Sequence, residues 1–531
     1  MNKEKKEIKN DLQEVVTGVN RRSFLKGVTA LSAAAVAGGF AANLAAPGTA
    51  EAALKKMPTK WDETWDVVVV GSGFAGLAAA AEAAGAGAKT VILEKMPTYG
   101  GNSIINGGVY AAWDSKFHYR QNLNLGDDSP AQHSNDTLKG GDYYNLPELV
   151  QVMADGAAPA LNWMIEEGGA QIRPTVTRAG GHTAYRTHSA VAGVGREYTE
   201  ALRKIGEKRG VKIALNSEVT WIWRKDVDPK SPVVGVEIKR GRKVLNIKAK
   251  RALVVASGGF SRDLKMRMAH NPRLVASFNC TNHPGATGEM IRFAEYVGAD
   301  SLQMNFIQLY PFAEPETGIL DTPAVYPFNG PGYGIVYVTQ QGKRFVNELE
   351  RRDVCAFAQI NLGPGAKPTF SIFSEPMILK MGGSNEEVAA GLAKGRFVKA
   401  DTIAELAEKL RIPAKALVET IKKHNSYISD GKDPEFNKSM TKVMIPMVDG
   451  QGPFYGIAQW PAVHHTMGGI RINPKAQVID IFGEVIPCFY GAGEFTGGVH
   501  GSNRLGSNAI PDAVAFGRVA GTNAAKEQSK A

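Results

Sequence analysis

The chain has 531 residues, 44% of them hydrophobic and 21% charged, with 59 glycines. That length exceeds one simple core and the apolar content excludes a disordered chain, so a turn-rich α/β protein of two domains is expected. The formal charge of +10 suits anionic small molecules, but no basic run with interleaved aromatics marks a nucleic-acid partner.

At the N-terminus, NRRSFLKG (Asn20 to Gly27) sets paired arginines before the apolar run VTALSAAAVAGGF (Val28 to Phe40), and Ala50-Glu51-Ala52 offers a cleavage site. This pattern predicts a twin-arginine signal peptide over residues 1–52, hence the twin-arginine translocase as a partner and a periplasmic destination. The apolar run is shorter than the ~20 residues that cross a bilayer; an uncleaved anchor is the competing reading. Seven Lys/Arg against five Asp/Glu in this segment would leave +8 after cleavage. Twin-arginine export carries folded cargo, so a tightly held prosthetic group is expected.

Next comes WDVVVVGSGFAGLAAAAEAAGAGAKTVILEK (Trp65 to Lys95). Four valines predict a buried strand, Gly71-x-Gly73-x-x-Gly76 a turn, the alanines a helix, and Thr90 to Leu93 a second strand ending at Glu94. A glycine turn placed between strand and helix and followed by an acidic residue is the dinucleotide-binding βαβ unit. Gly71 permits the turn, Gly73 the approach of a pyrophosphate, Gly76 the packing of helix on strand, and Glu94 would bind ribose hydroxyls. The glycine-rich MPTYGGNSIINGGVYAAW (Met96 to Trp113) has no use in an NAD enzyme and fits beneath a flavin, which favours FAD. ALVVASGGF (Ala252 to Phe260), Thr287-Gly288-Glu289 at a helix start, and CFYGAGEFTGG (Cys488 to Gly498), with Glu494, would return to the same cofactor from both ends of the chain.

HGSNRLGSNAIPDAVAFG (His500 to Gly517) sets Arg504 between glycines just before a predicted helix. Asn508 can cap that helix and Pro511 suits its first turn. A helix N-terminus beside a guanidinium fork fits a carboxylate or phosphate; a tight turn carrying a surface arginine is the alternative. The three cysteines, Cys280, Cys355 and Cys488, are far apart, with no C-x-x-C-H haem site and no metal-spaced cluster, so free buried thiols and no metal site are expected.

With EKMPTYGGNS, GATGE, GKRFVNELERRD, HHTMGG and GAGEFTGGVHGSNRLGSNAIPDA added to GSGFAG, the chain resembles the soluble fumarate reductase and flavocytochrome c family of FAD-dependent reductases, from about Asp62 to about Ala525. Urocanate- and methacrylate-reductase-like members are included. The resemblance implies an α/β fold in which a Rossmann-like FAD domain of the two-dinucleotide-binding type, residues 62–303 and 465–527, is interrupted by a mobile α+β capping domain, residues 304–464. It implies that Arg504 grips a substrate carboxylate with His464 beside it, that Arg352 donates the proton, and that Gly108 and Ser507 also touch substrate. It places His465 against the flavin and Ala75, Glu94, Asn102, Ser103, Gly107, Gly108, Glu289, Glu494, Ala509 and Ile510 on the cofactor. GGNSIINGG lacks the histidine of covalently flavinylated relatives, so FAD is expected to be non-covalent. The implied reaction brings hydride from flavin N5 to the β-carbon of a 2-enoate and a proton from Arg352 to the α-carbon. Asp353 is a candidate to restore that proton. Without the resemblance, His464 and His465 read more readily as packed histidines, Arg351 and Arg352 as a charged face, and Arg186 and His188 as loop-shaping residues.

The match departs from fumarate reductases at QLYPF, where Tyr310 replaces a histidine that binds the second carboxylate, and in ILDTPAVYPFNG (Ile319 to Gly330), which lacks a Thr-Glu pair. Tyr310, Phe312, Tyr326 and Phe328 would line an apolar far end. The expected substrate therefore carries one carboxylate: acrylate- or methacrylate-like, cinnamate-like or urocanate-like, with fumarate as the alternative. No haem motif lies within the chain, so a periplasmic c-type cytochrome is the expected electron donor, in an anaerobic respiratory role. A non-catalytic flavin electron-transfer subunit is the alternative of another class, and an oxidase or steroid dehydrogenase a third.

Overall fold

Val67–Val70 are all buried and lie at the centre of a mixed sheet. The computed structural model describes residues 55–529 apart from 227, 229 and 364, so the expected signal peptide lies outside the described residues. In the central sheet, strands Gln477–Ile479, Val485–Gly491, Lys243–Val255, Glu63–Val70, Thr90–Leu93 and Lys212–Ala214 lie side by side in that order. The inner pairings are parallel, with Val67–Val70 in register with Thr90–Leu93 on one side and Ala252–Val255 on the other. Phe489–Gly491 in turn pair with Leu253–Val255, also in parallel.

Parallel register brings the C-terminal ends of these strands to one edge. Gly71, Glu94, Ala256 and Ala492 all follow directly there, which is where an open parallel sheet binds ligands. The expected elements are all present: the alanine helix runs Phe74–Gly85, its buried face built mostly of alanine, and the helix opening on Glu289 runs to Tyr296. Gly76 packs that first helix onto its strand: a Cβ there would sit 1.9 Å from the Gly71 carbonyl oxygen.

A second hydrophobic core, rich in aromatics, surrounds an antiparallel sheet of Ile307–Ala313, Phe454–Thr466, Thr369–Ser374, Val336–Val338 and Val398–Ala400. Two of its strands run through both cores. Leu309 packs in the first and Tyr310 in the second, while Ala462 packs in the second and Val463 in the first. The change of core thus falls inside two paired strands, a few residues from the expected boundaries at 304 and 464. Residues from Met57 onward form one compact unit. All three cysteines are buried, and none is in a disulfide.

The last helix, Ala509–Lys526, begins after Asn508 as expected, but the Asn508 side chain does not cap it. Its amide instead meets His133 Nε2 at 2.9 Å and donates to Thr137 Oγ1 at 2.9 Å, because buried polar groups face it from that side.

Gly76→Ala should destabilise the protein by about 3 kcal/mol through overpacking and lower its bound FAD. Gly332→Ala, where a Cβ meets nothing within 4 Å, should stay within ~1 kcal/mol. Urea unfolding of the two variants checks this.

Candidate active site

A cavity of about 240 Å³ opens along the shared edge of the parallel strands, reaching from Gly71, Gly73 and Glu94 past Asn102, Ser103 and Gly107 to Arg352, His464 and Arg504. Two long helices present their N-termini to it, through Phe74 and Ala75 and through Ala509 and Ile510. The Phe74 N–H donates to Ser103 Oγ at 2.9 Å, and the other first-turn N–H groups lack helical acceptors, which favours an anion there. Glu94 Oε2 takes the Ser72 N–H at 3.1 Å and the Ser72 hydroxyl at 2.6 Å, and Oε1 takes the Met96 N–H at 2.9 Å; Oε1 keeps a lone pair for a hydroxyl group. Lys95 pairs with Glu289 at 3.1 Å, and the Thr287 hydroxyl bonds the same carboxylate. Asn102 Oδ1 receives the His283 N–H at 2.6 Å. At Gly258, which lines the cavity, an added Cβ would meet nothing within 4 Å. An elongated, anion-attracting cradle with a hydroxyl-binding carboxylate fits a dinucleotide.

The other end of the cavity is held by two buried arginines, 7% and 3% exposed. Arg352 opens the helix Arg352–Asn361, and Arg504 lies in the turn before the last helix. Both guanidinium groups donate to one oxygen, Gln308 Oε1, at 3.3 Å from Arg352 and 2.9 Å from Arg504. The amide cannot turn over, because Gln308 Nε2 donates to Asn503 Oδ1 and to the Arg504 carbonyl, each at 2.7 Å. Neither arginine has a carboxylate within ion-pair distance among the described residues, and the Nε of each has no partner. Arg352 lies instead over the Phe328 and Tyr310 rings, at 4.5 and 4.9 Å. Burial lowers the Arg352 guanidinium to about 10, and burial together with Arg352 holds Arg504 well below its ordinary value. Two like charges so placed bind an anion readily.

His464 and His465 end the strand Phe454–Thr466, and His465 stands opposite Gln308 in register. His464 Nδ1 lies 2.6 Å from Thr281 Oγ1, and its ring is 5.1 Å from that of Tyr310. Burial and the two arginines hold both histidines well below their ordinary values. His464 therefore acts as a neutral hydrogen-bonding group. Glu494 accepts the Thr466 N–H at 2.9 Å and lies 3.5 Å from His465 Nδ1. Burial pushes its carboxyl up to about 7.

The structure thus brings Arg352, Arg504, His464, His465, Tyr310, Ser507, Glu494, Ala509 and Ile510 to one cavity with the glycine-turn residues. Several expectations change. Gly108 does not line the cavity: its N–H bonds Asn106 Oδ1 at 2.8 Å, and a Cβ on it would strike the Val194 backbone. Gly76 also lies off the cavity, in its helix-packing role. Tyr310 offers a ring rather than a free hydroxyl, since that hydroxyl donates to the Ala324 carbonyl at 2.7 Å. Of the aromatic lining, Phe312 sits behind Tyr310, edge-on at 5.4 Å, and Tyr326 is bound to Glu387; Leu320, Val325 and Val109 line the wall with Phe328. Asp353, the candidate for restoring a proton to Arg352, is paired with Arg351 at 2.7 Å instead.

Gln308, Thr281 and Ser72 were not singled out in the sequence. Gln308 is the first residue of QLYPF, but only its register opposite His465 and its place between two distant arginines give it a role.

The family model described as FAD binding domain matches residues 66–510. The chain is 36% identical over 483 residues to "Fumarate reductase (cytochrome)" of Shewanella frigidimarina, covering 90% of this chain and 80% of that protein. It is 34% identical over 516 residues to "Acrylate reductase flavoprotein subunit" of Shewanella woodyi, covering 94% and 97%. The fold is similar to the open conformation of a flavocytochrome c3 fumarate reductase, with TM-score 0.68 and 33% identity over 88% of this chain and 79% of that one.

Glu494 gives a pH dependence with a definite sign. Its pKa is higher folded than unfolded, so between about 4.5 and about 7 the folded state binds more protons and FAD-free protein loses stability as pH rises. Glu494→Gln should gain on the wild type by about 3 kcal/mol across that window, measured by denaturant unfolding of FAD-free protein; parallel pH profiles would contradict it.

Proposed function

Because the chain belongs to the FAD-binding-domain family and is an FAD-dependent oxidoreductase of the fumarate reductase type acting on C=C bonds of enoates, we propose that its substrate is a 2-enoate with a single carboxylate. The observation that carries this reading is the pair of buried guanidinium groups sharing one neutral amide oxygen. They offer a place for one carboxylate. Further along the cavity the wall is Leu320, Val325, Phe328 and Val109, and the nearby arginines are neutralised: Arg396 by Asp321 and Arg173 by Glu387. A second carboxylate would lose water there without gaining a cation. The acrylate reductase subunit, matched over 97% of its length, supports a small monocarboxylate; acrylate, methacrylate, cinnamate and urocanate all meet the requirement.

FAD, which Gly71, Gly73, Glu94 and the helix start at Ala509 would hold, would supply the hydride for the β-carbon of the substrate. In this reading Arg504 holds the carboxylate, where negative charge builds as the C=C bond is reduced. A cation fixed at that point stabilises the transition state more than the ground state. Neutral His464, held by Thr281, adds a hydrogen bond rather than a charge. Arg352 gives its proton to the α-carbon. Guanidinium is ordinarily too weak an acid, but burial lowers this one to about 10, closer to the range in which an acid serves. The Phe328 and Tyr310 faces hold its charged form in place.

The NRRSFLKG segment supports export to the periplasm by the twin-arginine route, and the relative named for a cytochrome supports a c-type cytochrome as electron donor. Residues 310–462, around their own core, would act as a cap over the substrate; the open conformation of the similar flavocytochrome c3 fumarate reductase supports such movement.

Purified holoenzyme should oxidise reduced viologen dye with at least one monocarboxylic enoate of a panel that also holds fumarate. Activity with none would overturn the reductase assignment, and activity with fumarate alone the monocarboxylate assignment. Arg352→Ala should lose at least ~100-fold in kcat while retaining its yellow cofactor.

A further inference from the structure

The turn that carries Arg504 is fixed from behind by buried groups with no role in the reaction derived above. His182 Nε2 lies 2.8 Å from the Gly506 carbonyl oxygen. Its other nitrogen, Nδ1, faces Arg186 Nη1 at 3.2 Å. A guanidinium only donates, so Nδ1 must accept and Nε2 must carry the hydrogen given to Gly506. Arg186 cannot turn away. Its side chain is fully buried, forked onto Asp128 at 2.8 and 2.9 Å and paired with Asp136 at 2.9 Å. Asp136 is itself tied to the Thr183 N–H and hydroxyl, next to His182.

Gly506 joins this network to both reactive arginines. It lies two residues after Arg504, and a Cβ on it would stand 2.1 Å from Cζ of Phe328, the ring beneath Arg352. The turn is therefore clamped between a hydrogen bond on one face and the Phe328 ring on the other. A neighbouring pair, Ser507 Oγ and Thr187 Oγ1 at 2.7 Å, sets the next residue. Burial, with Arg186 and Arg352 nearby, keeps His182 neutral, as a fixed tautomer requires.

We infer that His182, oriented by Arg186, is a positioning residue that sets Arg504 and Arg352 against the substrate carboxylate; this rests on the enoate reading of the site. Removing the hydrogen bond leaves the Gly506 carbonyl without its partner and lets the turn shift, which costs alignment rather than charge.

Titrating the holoenzyme with propanoate and 3-phenylpropanoate, saturated acids that cannot be reduced, tests it. His182→Leu should raise the Kd of whichever acid the wild type binds at least ~10-fold, with FAD content and flavin absorbance unchanged. His182→Gln, whose amide can donate to Gly506 and accept from Arg186, should stay within ~3-fold. If His182→Leu does not fold, His182→Asn, too short to reach Gly506, carries the same expectation. Wild-type affinity in the Leu or Asn variant would overturn the inference, as would an equal loss in the Gln variant or a loss accompanied by release of FAD. A wild type that binds neither acid would overturn the enoate reading itself, and the inference with it.

Discussion

Two positive charges share one neutral oxygen at the end of the cavity, and the rest of the site depends on that arrangement. Buried like charges repel strongly where water is scarce, yet Arg352 and Arg504 have only Gln308 Oε1 between them. Such a pair has a standing affinity for an anion. Burial makes the Arg352 guanidinium easier to deprotonate, and burial with Arg352 does the same to Arg504; in the proposed mechanism one feature serves both carboxylate binding and proton donation. Gln308 is suited to its place because an amide accepts from both arginines without neutralising either.

The architecture puts this pair where two bodies of structure meet. Ile307–Ala313 and Phe454–Thr466 pair with each other and pass from one hydrophobic core into the other, carrying Gln308 and Tyr310 on one strand and His464 and His465 on the other. Arg504 comes from the C-terminal turn and Arg352 from a helix beyond the second sheet. Just before that helix, Glu348 is fully buried and bound by Arg344 and Lys438 at 2.8 and 3.1 Å. These cations hold its carboxyl down at about 2 despite burial, which fixes the segment leading to Arg352. The parallel strands, meanwhile, end together and offer the dinucleotide cradle beside it.

The sequence made the cradle legible because its signals are local. Val67–Val70, the glycine turn, the alanine helix and Glu94 are contiguous, and each states its geometry through residue type. Arg504 also stood out, since an arginine between glycines before a helix suits an anion, although a tight turn with a surface arginine fits the same residues. Arg352 and the histidines were distinguished only by resemblance: nothing in ERRD separates Arg352 from Arg351, and the structure does so by burying one over aromatic rings and pairing the other with Asp142 and Asp353. Gln308 was missed because its meaning lies in a register between strands some 150 residues apart in sequence. Tyr310 was read as part of an apolar lining, but what holds its hydroxyl depends on neighbours distant in sequence, and here the Ala324 carbonyl takes it.

The most direct test is a crystal structure of the holoenzyme with a saturated monocarboxylate bound. The account predicts the carboxylate within hydrogen-bond distance, about 3 Å, of both the Arg504 and Arg352 guanidinium groups, with its hydrocarbon end against Phe328, Val325 and Leu320. A carboxylate seated elsewhere, with the two arginines still joined only through Gln308, would contradict it.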